Sequence, residues 1–178
     1  MKAMRLLIII AVGTLLTACT GLPEGIRPVK TVDVNQYAGT WYEIARLDHS
    51  FERGLSDVSA EYQIQDDGSL KVINRGYSTE EGTWKEAEGH AVFVDENRTG
   101  HLKVSFFGPF YASYVIFRLD SEDYQYAFIT GFDRDYLWFL SRTPTVTDKA
   151  LDDFRAVAEA EGFNLDELII VDQSRNRP

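Results

Sequence analysis

The sequence predicts an all-β fold: an eight-stranded antiparallel up-and-down β-barrel with one C-terminal α-helix packed against its outside. The 11 Phe, 9 Tyr and 3 Trp residues all follow residue 18, and such a density of aromatic residues suits strands better than helices. Short extended runs alternate with turn-like segments, and a single helical pattern follows them. Closing such a meander removes the sheet edges and leaves room inside for one small ligand. A β-sandwich is the alternative architecture that periodicity leaves open.

Composition narrows the classes of function. With 178 residues, the chain is expected to form one domain. Its net charge of -10 and isoelectric point near 4.7 would repel a phosphate backbone, so no nucleic-acid partner is expected. The single cysteine, Cys19, excludes an intrachain disulfide framework and any site with several thiolate ligands. That cysteine therefore needs its own explanation.

The first 18 residues have the pattern of a signal peptide. Lys2 and Arg5 precede an apolar run at residues 6–16. This run is about eleven residues long, whereas a helix that spans a bilayer needs about twenty, so a permanent transmembrane anchor is disfavoured. We therefore predict that residues 1–18 are cleaved, which takes the net charge from -10 to -12 over the remaining 160 residues.

Cys19 ends a segment, Leu16-Thr17-Ala18-Cys19, that resembles the bacterial lipobox. The resemblance implies cleavage after Ala18 and acylation of Cys19, with several acyl chains giving a membrane attachment that one chain alone could not. An unmodified thiol near an ordinary cleavage site is the alternative. In Gram-negative lipoproteins an aspartate after the cysteine favours the inner membrane, so Thr20 implies a lipid anchor at the periplasmic face of the outer membrane.

A lipidated tether is expected at residues 19–31, before a folded domain at residues 32–178. Pro23, Gly25 and Pro28 interrupt the tether, which shows no apolar periodicity. The chain changes to a β-rich pattern after Val32, so we place the start of the domain there.

The first strand is predicted at residues 39–47, where side chains alternate between two faces. One face carries Trp41, Glu43, Ala45 and Leu47, and the other carries Tyr42, Ile44 and Arg46. A polar loop is expected to follow at residues 48–56.

Seven further strands complete the predicted barrel. They are expected at residues 58–65, 70–77, 84–94, 102–107, 113–119, 124–131 and 136–142. Asp67-Gly68 supplies a tight turn between the second and third strands, which makes those two strands antiparallel neighbours. The other connections are also short, which favours a meander over Greek-key crossovers.

One helix is predicted after the eighth strand. Thr147 can cap its start, and Gly162 suits the left-handed position at its end. An apolar stripe at helical spacing consists of Leu151, Phe154, Val157 and Ala158. About fourteen residues form a helix roughly 21 Å long, which can lie across the outside of a small barrel. A ninth strand is expected at residues 167–171.

Two runs carry a family resemblance. They are Gly39-Thr40-Trp41-Tyr42-Glu43-Ile44-Ala45-Arg46 and Leu140-Ser141-Arg142-Thr143-Pro144. These runs resemble the first and third motifs of the lipocalin family. The resemblance implies that Gly39, Trp41 and Arg142 are structural, with the Arg142 guanidinium packed on the Trp41 ring at the barrel floor. The second family motif is only partly matched, at residues 119–124.

The resemblance extends over nearly the whole chain. Residues 102–111 and 133–138 are similar to the bacterial branch of the family, whereas animal branches carry disulfides that Cys19 alone could not form. The family resemblance implies that the barrel binds a fatty acid or a lysophospholipid, for storage, transport or repair of membrane lipids. A homodimer is also known in this branch, although no residue here indicates one.

Strand alternation predicts which side chains line the barrel. If Arg142 points inward, then Leu140, Trp138 and Tyr136 on the same strand also do so. Four further candidates from the two preceding strands are Tyr114, Ile116, Tyr126 and Phe128. Each of these side chains contacts the ligand or simply packs in the core.

An aromatic turn is expected at residues 106–111. Four interpretations of this turn stay open: it lines the mouth of the barrel, touches a membrane, contacts a second subunit, or is an ordinary hairpin cluster.

No catalytic residue, metal site or cofactor is expected. His49, His90 and His101 lack the spacing of a helical zinc site and are interpreted as surface residues. No spacing argument places Glu43 or Arg46 in a cleft with another acid or base. A lipid-binding module is therefore the first hypothesis. The alternative is an envelope interaction or assembly lipoprotein whose filled barrel serves as a scaffold.

Overall fold

The computed structural model describes residues 20–176, so Cys19 and the signal peptide predicted at residues 1–18 lie outside the described residues. In chain order the elements are α1 (Val34–Tyr37), β1 (Gly39–Arg46), β2 (Leu55–Ile64), β3 (Leu70–Ser78), β4 (Thr83–Phe93), β5 (His101–Phe107), β6 (Phe110–Leu119), β7 (Tyr126–Thr130), β8 (Leu137–Ser141), α2 (Asp148–Ala160) and β9 (Ile169–Ile170). No helix in the described range has the length and apolar character needed to cross a membrane.

The first eight strands form a closed antiparallel meander. Each strand from β2 to β7 pairs with the next one along the chain, and β1 pairs with both β8 and β2. The register places Gly39 opposite Tyr62 on β2 and Tyr42 opposite Ser141 on β8. These pairings confirm the predicted up-and-down barrel. They exclude the β-sandwich, because a sandwich consists of two separate sheets.

Successive connections of the meander fall at alternate ends of the barrel. The open end carries the loops at residues 47–54, 79–82, 108–109 and 131–136. The closed end carries α1 and the turns at residues 65–69, 94–100 and 120–125. This arrangement separates the loops that surround the mouth of the barrel from the turns that form its floor.

Two apolar clusters lie on either side of the barrel wall. The inner cluster fills the closed half and includes the fully buried Trp41, Leu70, Leu102, Ile116 and Ile129. The outer cluster lies between the wall and α2, where the rings of Phe139 and Phe154 stack with centroids 5.0 Å apart. The Thr147 hydroxyl caps α2 by accepting from the Ala150 amide, so the helix predicted outside the barrel is confirmed.

Trp41 and Arg142 meet at the closed end. The guanidinium carbon of Arg142 lies 3.9 Å from the centroid of the Trp41 ring. The same guanidinium donates to four backbone carbonyls, those of Gln36, Tyr37, Thr40 and Tyr124. Because these carbonyls belong to α1, β1 and the β6–β7 turn, one side chain connects three parts of the barrel floor.

Residues 20–31 differ from the loose tether expected from the sequence. Ile26 is 4% exposed and packs in the outer cluster. The Val29 amide donates to a carbonyl of β6 at 2.9 Å, and the Gly21 carbonyl accepts from Ser113 Oγ at 2.6 Å. The segment therefore belongs to the domain, because it buries apolar side chains that a tether would leave in water.

The C-terminal segment completes the wall between β1 and β2. Their pairing ends where Tyr42 faces Ser59, and β9 then pairs with the end of β1. Gln173, which is 1% exposed, spans the gap that remains. Its Nε2 donates to the Glu43 carbonyl at 2.7 Å and to the Val58 carbonyl at 2.8 Å. A side chain from the tail therefore holds this seam where the strand ladder stops.

Replacing Gly100 with alanine should destabilise the domain. A β carbon at this position would lie 2.4 Å from the Ile116 carbonyl oxygen and 2.8 Å from Val29 Cγ2, so the backbone of β5 or β6 would have to move. Overpacking of this kind costs about 1 to 3 kcal/mol. Urea unfolding followed by circular dichroism should therefore show a lower midpoint for Gly100→Ala than for the native chain.

The matched control is Gly21→Ala, because a β carbon on Gly21 meets no atom within 4 Å. Its midpoint should equal that of the native chain. Equal midpoints for the two variants would contradict the close approach of Gly100 to β6.

Candidate functional site

The open half of the barrel contains an apolar recess. Phe106, Tyr114 and Trp138 pack against the inner cluster but remain only partly buried. Alternation along the strands places three small side chains on the same inner surface, those of Ala60, Ala87 and Ala112. These alanines are partly or well exposed, although they face the interior. Small side chains between aromatic ones thus leave accessible space above the packed closed half.

Phe106 reaches this recess because the facing strand has a glycine opposite its ring. A β carbon on Gly89 would lie 2.8 Å from Phe106 Cε1, closer than any side chain allows. The glycine therefore lets the aromatic ring lie flat against the wall formed by β4.

Three tyrosine hydroxyl groups form the polar floor of the recess. The Tyr62 hydroxyl donates to the Tyr114 hydroxyl at 2.8 Å, and the hydroxyl oxygens of Tyr114 and Tyr37 are 2.6 Å apart. Burial raises the pKa of all three groups, so they keep their protons. The three groups carry three hydroxyl hydrogens, and these two bonds use two of them. One O–H group is therefore able to donate to a further oxygen.

A β-bulge in β1 changes which side chains face the interior. The register against β8 shifts between Glu43 and Ala45. Ile44 and Ala45 both pack in the outer cluster, and Arg46 then turns inward to contact Glu43. The predicted alternation therefore holds only as far as Glu43. Ala45 and Leu47 face outward instead of inward, because the bulge adds one residue to the strand.

The bulge creates a buried polar cluster, which consists of Glu43, Arg46, His49 and Glu52. Arg46 Nη1 donates to Glu43 Oε1 at 2.7 Å, and Arg46 Nη2 donates to the Glu52 carbonyl at 3.0 Å. Glu52 Oε2 accepts from Trp138 Nε1 at 3.0 Å and lies 2.9 Å from His49 Nε2. The side chains of all four members are 10% exposed or less. Because His49 and Glu52 belong to the β1–β2 loop, the cluster ties this loop to the barrel wall.

The two carboxyl groups of the buried polar cluster differ in their ionisation. Desolvation raises the pKa of Glu43 well above its usual value, and the nearby charge of Glu52 raises it further. Burial also opposes ionisation of Glu52, but its contacts with His49, Trp138 and Arg46 outweigh that effect and lower its pKa. The two pKa values therefore shift in opposite directions, and Glu52 ionises more readily than Glu43, while Arg46 lies beside both carboxyl groups.

Aromatic side chains surround His49 at the mouth. The ring of Phe51 stacks on His49 with centroids 4.0 Å apart, while Trp138 and Tyr136 lie 5.1 and 6.0 Å away. Phe51 is 61% exposed, so it extends this aromatic surface to the solvent. Stacking and charge thus both hold the β1–β2 loop at the mouth.

Five of the seven side chains predicted to line the cavity lie on or beside the inner surface. Tyr114, Ile116, Trp138 and Leu140 belong to the inner cluster. Tyr136 lies just before β8, at the mouth, with its ring 6.0 Å from that of Trp138. The structure therefore brings these five residues together around the recess and its floor.

Tyr126 and Phe128 face the opposite way, which corrects their expected inward direction. Both pack in the outer cluster, and the Phe128 ring centroid lies 5.0 Å from that of Phe154 on α2. The inward residues of β7 are Ala127 and Ile129. The reason is that α2 covers the outer face of β7, so large apolar side chains occur on a face that would otherwise be polar.

The buried polar cluster was not predicted from the sequence. His49 was interpreted as a surface residue, yet it is 6% exposed. Glu43 and Arg46 were predicted on opposite faces of the first strand, and only the bulge brings them together. The one signal that fits a bulge is the pair of adjacent apolar residues, Ile44-Ala45, between a buried acid and a buried base.

Two clefts on the outside of the barrel do not share residues with the recess. One, of about 200 Å³, lies beside Arg118 and Phe128, and the other, of about 380 Å³, lies between closed-end turns near Gly68 and Arg98. Within residues 20–176, no group of three or more His, Cys, Asp or Glu side chains is placed to hold a metal ion. The recess is therefore the candidate site that the geometry favours.

The chain is similar to known proteins over nearly its whole length. A family model described as a lipocalin-like domain matches residues 32–173. The outer membrane lipoprotein Blc of Vibrio cholerae is 55% identical over 170 residues, which cover 96% of this chain and 99% of that protein. The Escherichia coli K12 protein of the same name is 49% identical over 175 residues, with coverage of 96% and 98%. The solved structure of the cockroach allergen Per a 4 has a TM-score of 0.68 at 20% identity, covers 88% of this chain and 98% of its own, and supports the fold alone.

Replacing Glu43 and Glu52 with glutamine, singly and together, should show that they share the charge of Arg46. In Glu43→Gln, Glu52 remains the counter-ion. In Glu52→Gln, the like charge that raises the pKa of Glu43 is gone, so Glu43 can ionise in its place. The double variant leaves Arg46 without a carboxylate, so its loss of stability should exceed the sum of the single losses by about 1 to 3 kcal/mol.

Urea unfolding at neutral pH measures the free energy of unfolding for all three variants. Strictly additive losses would show that the two carboxyl groups act independently of each other on Arg46.

Proposed function

The chain belongs to the lipocalin family, and on that premise we propose that it binds a fatty acid or a lysophospholipid inside its barrel. The observation that carries this proposal is the apolar recess, whose inward side chains remain accessible in the open half. An acyl chain needs an apolar channel with few polar groups. The packed floor around Trp41 ends the recess, so the chain enters from the open end.

The polar groups around the recess suit a lipid that carries one polar end. Arg46 lies beside the carboxyl groups of Glu43 and Glu52, so its charge is already paired within the buried polar cluster. Burying an ionised head group without a partner is costly, so we place the head group at the mouth, in contact with water. The free tyrosine O–H on the floor can hydrogen-bond a ligand oxygen or a water molecule deeper inside.

We further propose that the protein is attached to the periplasmic face of the outer membrane through acylated Cys19, where it stores, transports or repairs membrane lipids. The lipobox at residues 16–19 supports the attachment, and Thr20 after it supports the outer membrane. The relatives in Vibrio cholerae and Escherichia coli are called outer membrane lipoproteins, which supports the same location. The accessible recess favours this binding role over a filled barrel that serves as a scaffold.

A protein spanning residues 20–178 should bind a fluorescent fatty acid with a dissociation constant in the micromolar range or below. Ala60→Trp should weaken this binding at least about tenfold, because the indole would occupy the recess that the acyl chain needs. Fluorescence titration, with displacement by an unlabelled fatty acid, measures both constants.

The control for this titration is Ala156→Trp, which adds the same indole on the exposed face of α2 and should bind like the native protein. If the native barrel shows no displaceable binding, the lipid-binding role is wrong. A stable cross-linked protein partner would then favour the scaffold.

Cys19→Ser should remove the protein from the outer-membrane fraction, because the acyl anchor forms on the cysteine thiol. The expected product is an unprocessed precursor, visible as a larger band, or a protein that does not co-fractionate with the outer membrane. Thr20→Ser is the control, because it keeps the cysteine and avoids an aspartate at the next position. Unchanged fractionation of Cys19→Ser would refute the lipobox interpretation.

A further inference from the structure

We infer that the recess favours an acyl chain that carries a hydroxyl group in its distal half, which is the half further from the head group. This inference rests on the proposed binding of an acyl lipid and deepens it by naming a substrate class. Two neutral polar side chains carry it, the Tyr114 hydroxyl on the floor and the Asn74 amide on the wall. Each keeps one hydrogen-bonding group that the described part of the chain leaves unpaired.

Asn74 places an amide group on the inner surface of β3. Leu70 and Val72 belong to the inner cluster, and strand alternation puts Asn74 on the same face. Its directly opposite neighbours are Ala60 on β2 and Ala87 on β4. These are two of the three alanines that keep the recess accessible. The amide therefore lies in the wall of the recess with a small side chain on either side.

The oxygen of this amide lacks a donor. Asn74 Oδ1 is buried and accepts no hydrogen bond from any residue in the range 20–176, although the residue as a whole is only partly buried. A buried acceptor without a donor lowers the stability of the fold. Leucine, which branches at the same carbon, would cover this wall without that cost. The amide is therefore best explained by a partner that comes from outside the chain.

The Tyr114 hydroxyl offers the complementary donor. Tyr62 donates to Tyr114, so the hydroxyl hydrogen of Tyr62 is already used. A bond donated by Tyr37 to Tyr114 then leaves one hydrogen, on Tyr114 itself. Tyr37 is 1% exposed and Tyr62 is 5% exposed, whereas Tyr114 is only partly buried. Tyr114 is therefore the hydroxyl group of the floor that reaches the recess.

The amide on the wall and the hydroxyl groups on the floor lie at neighbouring levels. Tyr62 faces Val72, and Asn74 is the next inward residue of β3 towards the mouth. Such diagonal neighbours are about 7 to 8 Å apart. The Tyr62 hydroxyl in turn lies 2.8 Å from that of Tyr114. The donor and the acceptor thus border the same stretch of the recess.

A hydroxyl group is the ligand function that matches this pair, because it accepts one hydrogen bond and donates another. It can accept from Tyr114 and donate to Asn74. A methylene group does neither and would leave both side chains unpaired. A carboxylate cannot donate, and burying its charge beside a neutral hydroxyl and a neutral amide is costly.

The depth of Asn74 sets the position of the hydroxyl along the acyl chain. Asn74 lies four residues before Ser78, the end of β3 at the mouth, which is about 14 Å along the strand. The head group stays at the mouth in the proposed binding mode. A hydroxyl that meets Asn74 and Tyr114 therefore belongs to the distal half of the chain.

Competition between matched fatty acids tests this inference. The protein of residues 20–178, which contains every element of the barrel, is loaded with the fluorescent fatty acid and titrated with octadecanoic acid, its 12-hydroxy derivative or its 2-hydroxy derivative. The 12-hydroxy acid should bind about fivefold more tightly than octadecanoic acid, because its hydroxyl group forms hydrogen bonds inside the recess. The 2-hydroxy acid is the control ligand. Its hydroxyl group stays with the head group in water, so it should bind like octadecanoic acid.

Variants of the two side chains separate their roles. A triple variant with Tyr37→Phe, Tyr62→Phe and Tyr114→Phe removes all three hydroxyl groups and keeps the rings, a kind of change that is often nearly neutral for stability. It should reverse the order of affinities, because the hydroxyl of the 12-hydroxy acid would lose its donor. Asn74→Leu should bring the two affinities close together. Tyr126→Phe is the matched control, because Tyr126 packs in the outer cluster, and it should keep the native preference.

The ratio of the two affinities is measured within each variant, so a smaller folded fraction does not change it. If the native protein binds octadecanoic acid but does not prefer the 12-hydroxy acid, lipid binding stands and this inference alone is wrong. A preference that persists unchanged in the triple variant would also overturn it. If no fatty acid displaces the fluorescent probe and the probe itself does not bind, the proposed lipid-binding role fails, and the inference fails with it.

Discussion

Closure of the barrel through β1 is the constraint on which the rest of the structure depends. This strand pairs with β8 on one side, and on the other side first with β2 and then with β9. The change of neighbour after Tyr42 leaves a gap that neither β2 nor β9 fills. The bulge after Glu43 and the double hydrogen bond from Gln173 are the two irregular features that let the wall close at this seam.

The buried polar cluster is a consequence of that closure. The bulge turns the charge of Arg46 into the barrel, where an unpaired charge would be very costly. Glu43 on β1 and Glu52 in the β1–β2 loop provide the compensating carboxyl groups, so the contacts of Arg46 with Glu52 also hold the loop at the mouth. The bond of Glu52 to Trp138 then fixes the position of one wall of the recess. The irregularity of one strand thereby determines how the mouth is covered.

The elements of the fold could be predicted because their signals are local. The Asp67-Gly68 turn uses the left-handed conformation that glycine permits, with a φ of +82° at Gly68, and Thr147 caps α2 from its own first turn. The pairing of Trp41 with Arg142 followed from the family resemblance. Alternation shows that a strand has two unlike faces, but it does not show which face α2 will cover, so Tyr126 and Phe128 were assigned to the wrong side.

Features that depend on distant parts of the chain could not be predicted in the same way. The bulge in β1 is held by the C-terminal segment, which lies some 130 residues away in the sequence, because Gln173 donates to the Glu43 carbonyl. Residues 20–31 resemble a tether in composition, and only their contacts with residues distant in the sequence, such as Gly100 and Ile116, explain why Ile26 and Val29 pack on the barrel. No window of sequence contains both partners of these contacts.

The packing of the N-terminal segment makes residues 20–31 a part of the barrel wall. The Gly21 carbonyl accepts from Ser113 on β6, and the Val29 backbone bonds Gly100 and Ile116 at the closed end. Ile26 packs between these two contacts in the outer cluster, where a flexible tether would leave its side chain in water. The mouth is held in a comparable way from the other side of the barrel. There the β1–β2 loop is fixed by the contacts of Glu52 with Arg46 and Trp138, so polar pairs hold the open end and apolar packing holds the closed end.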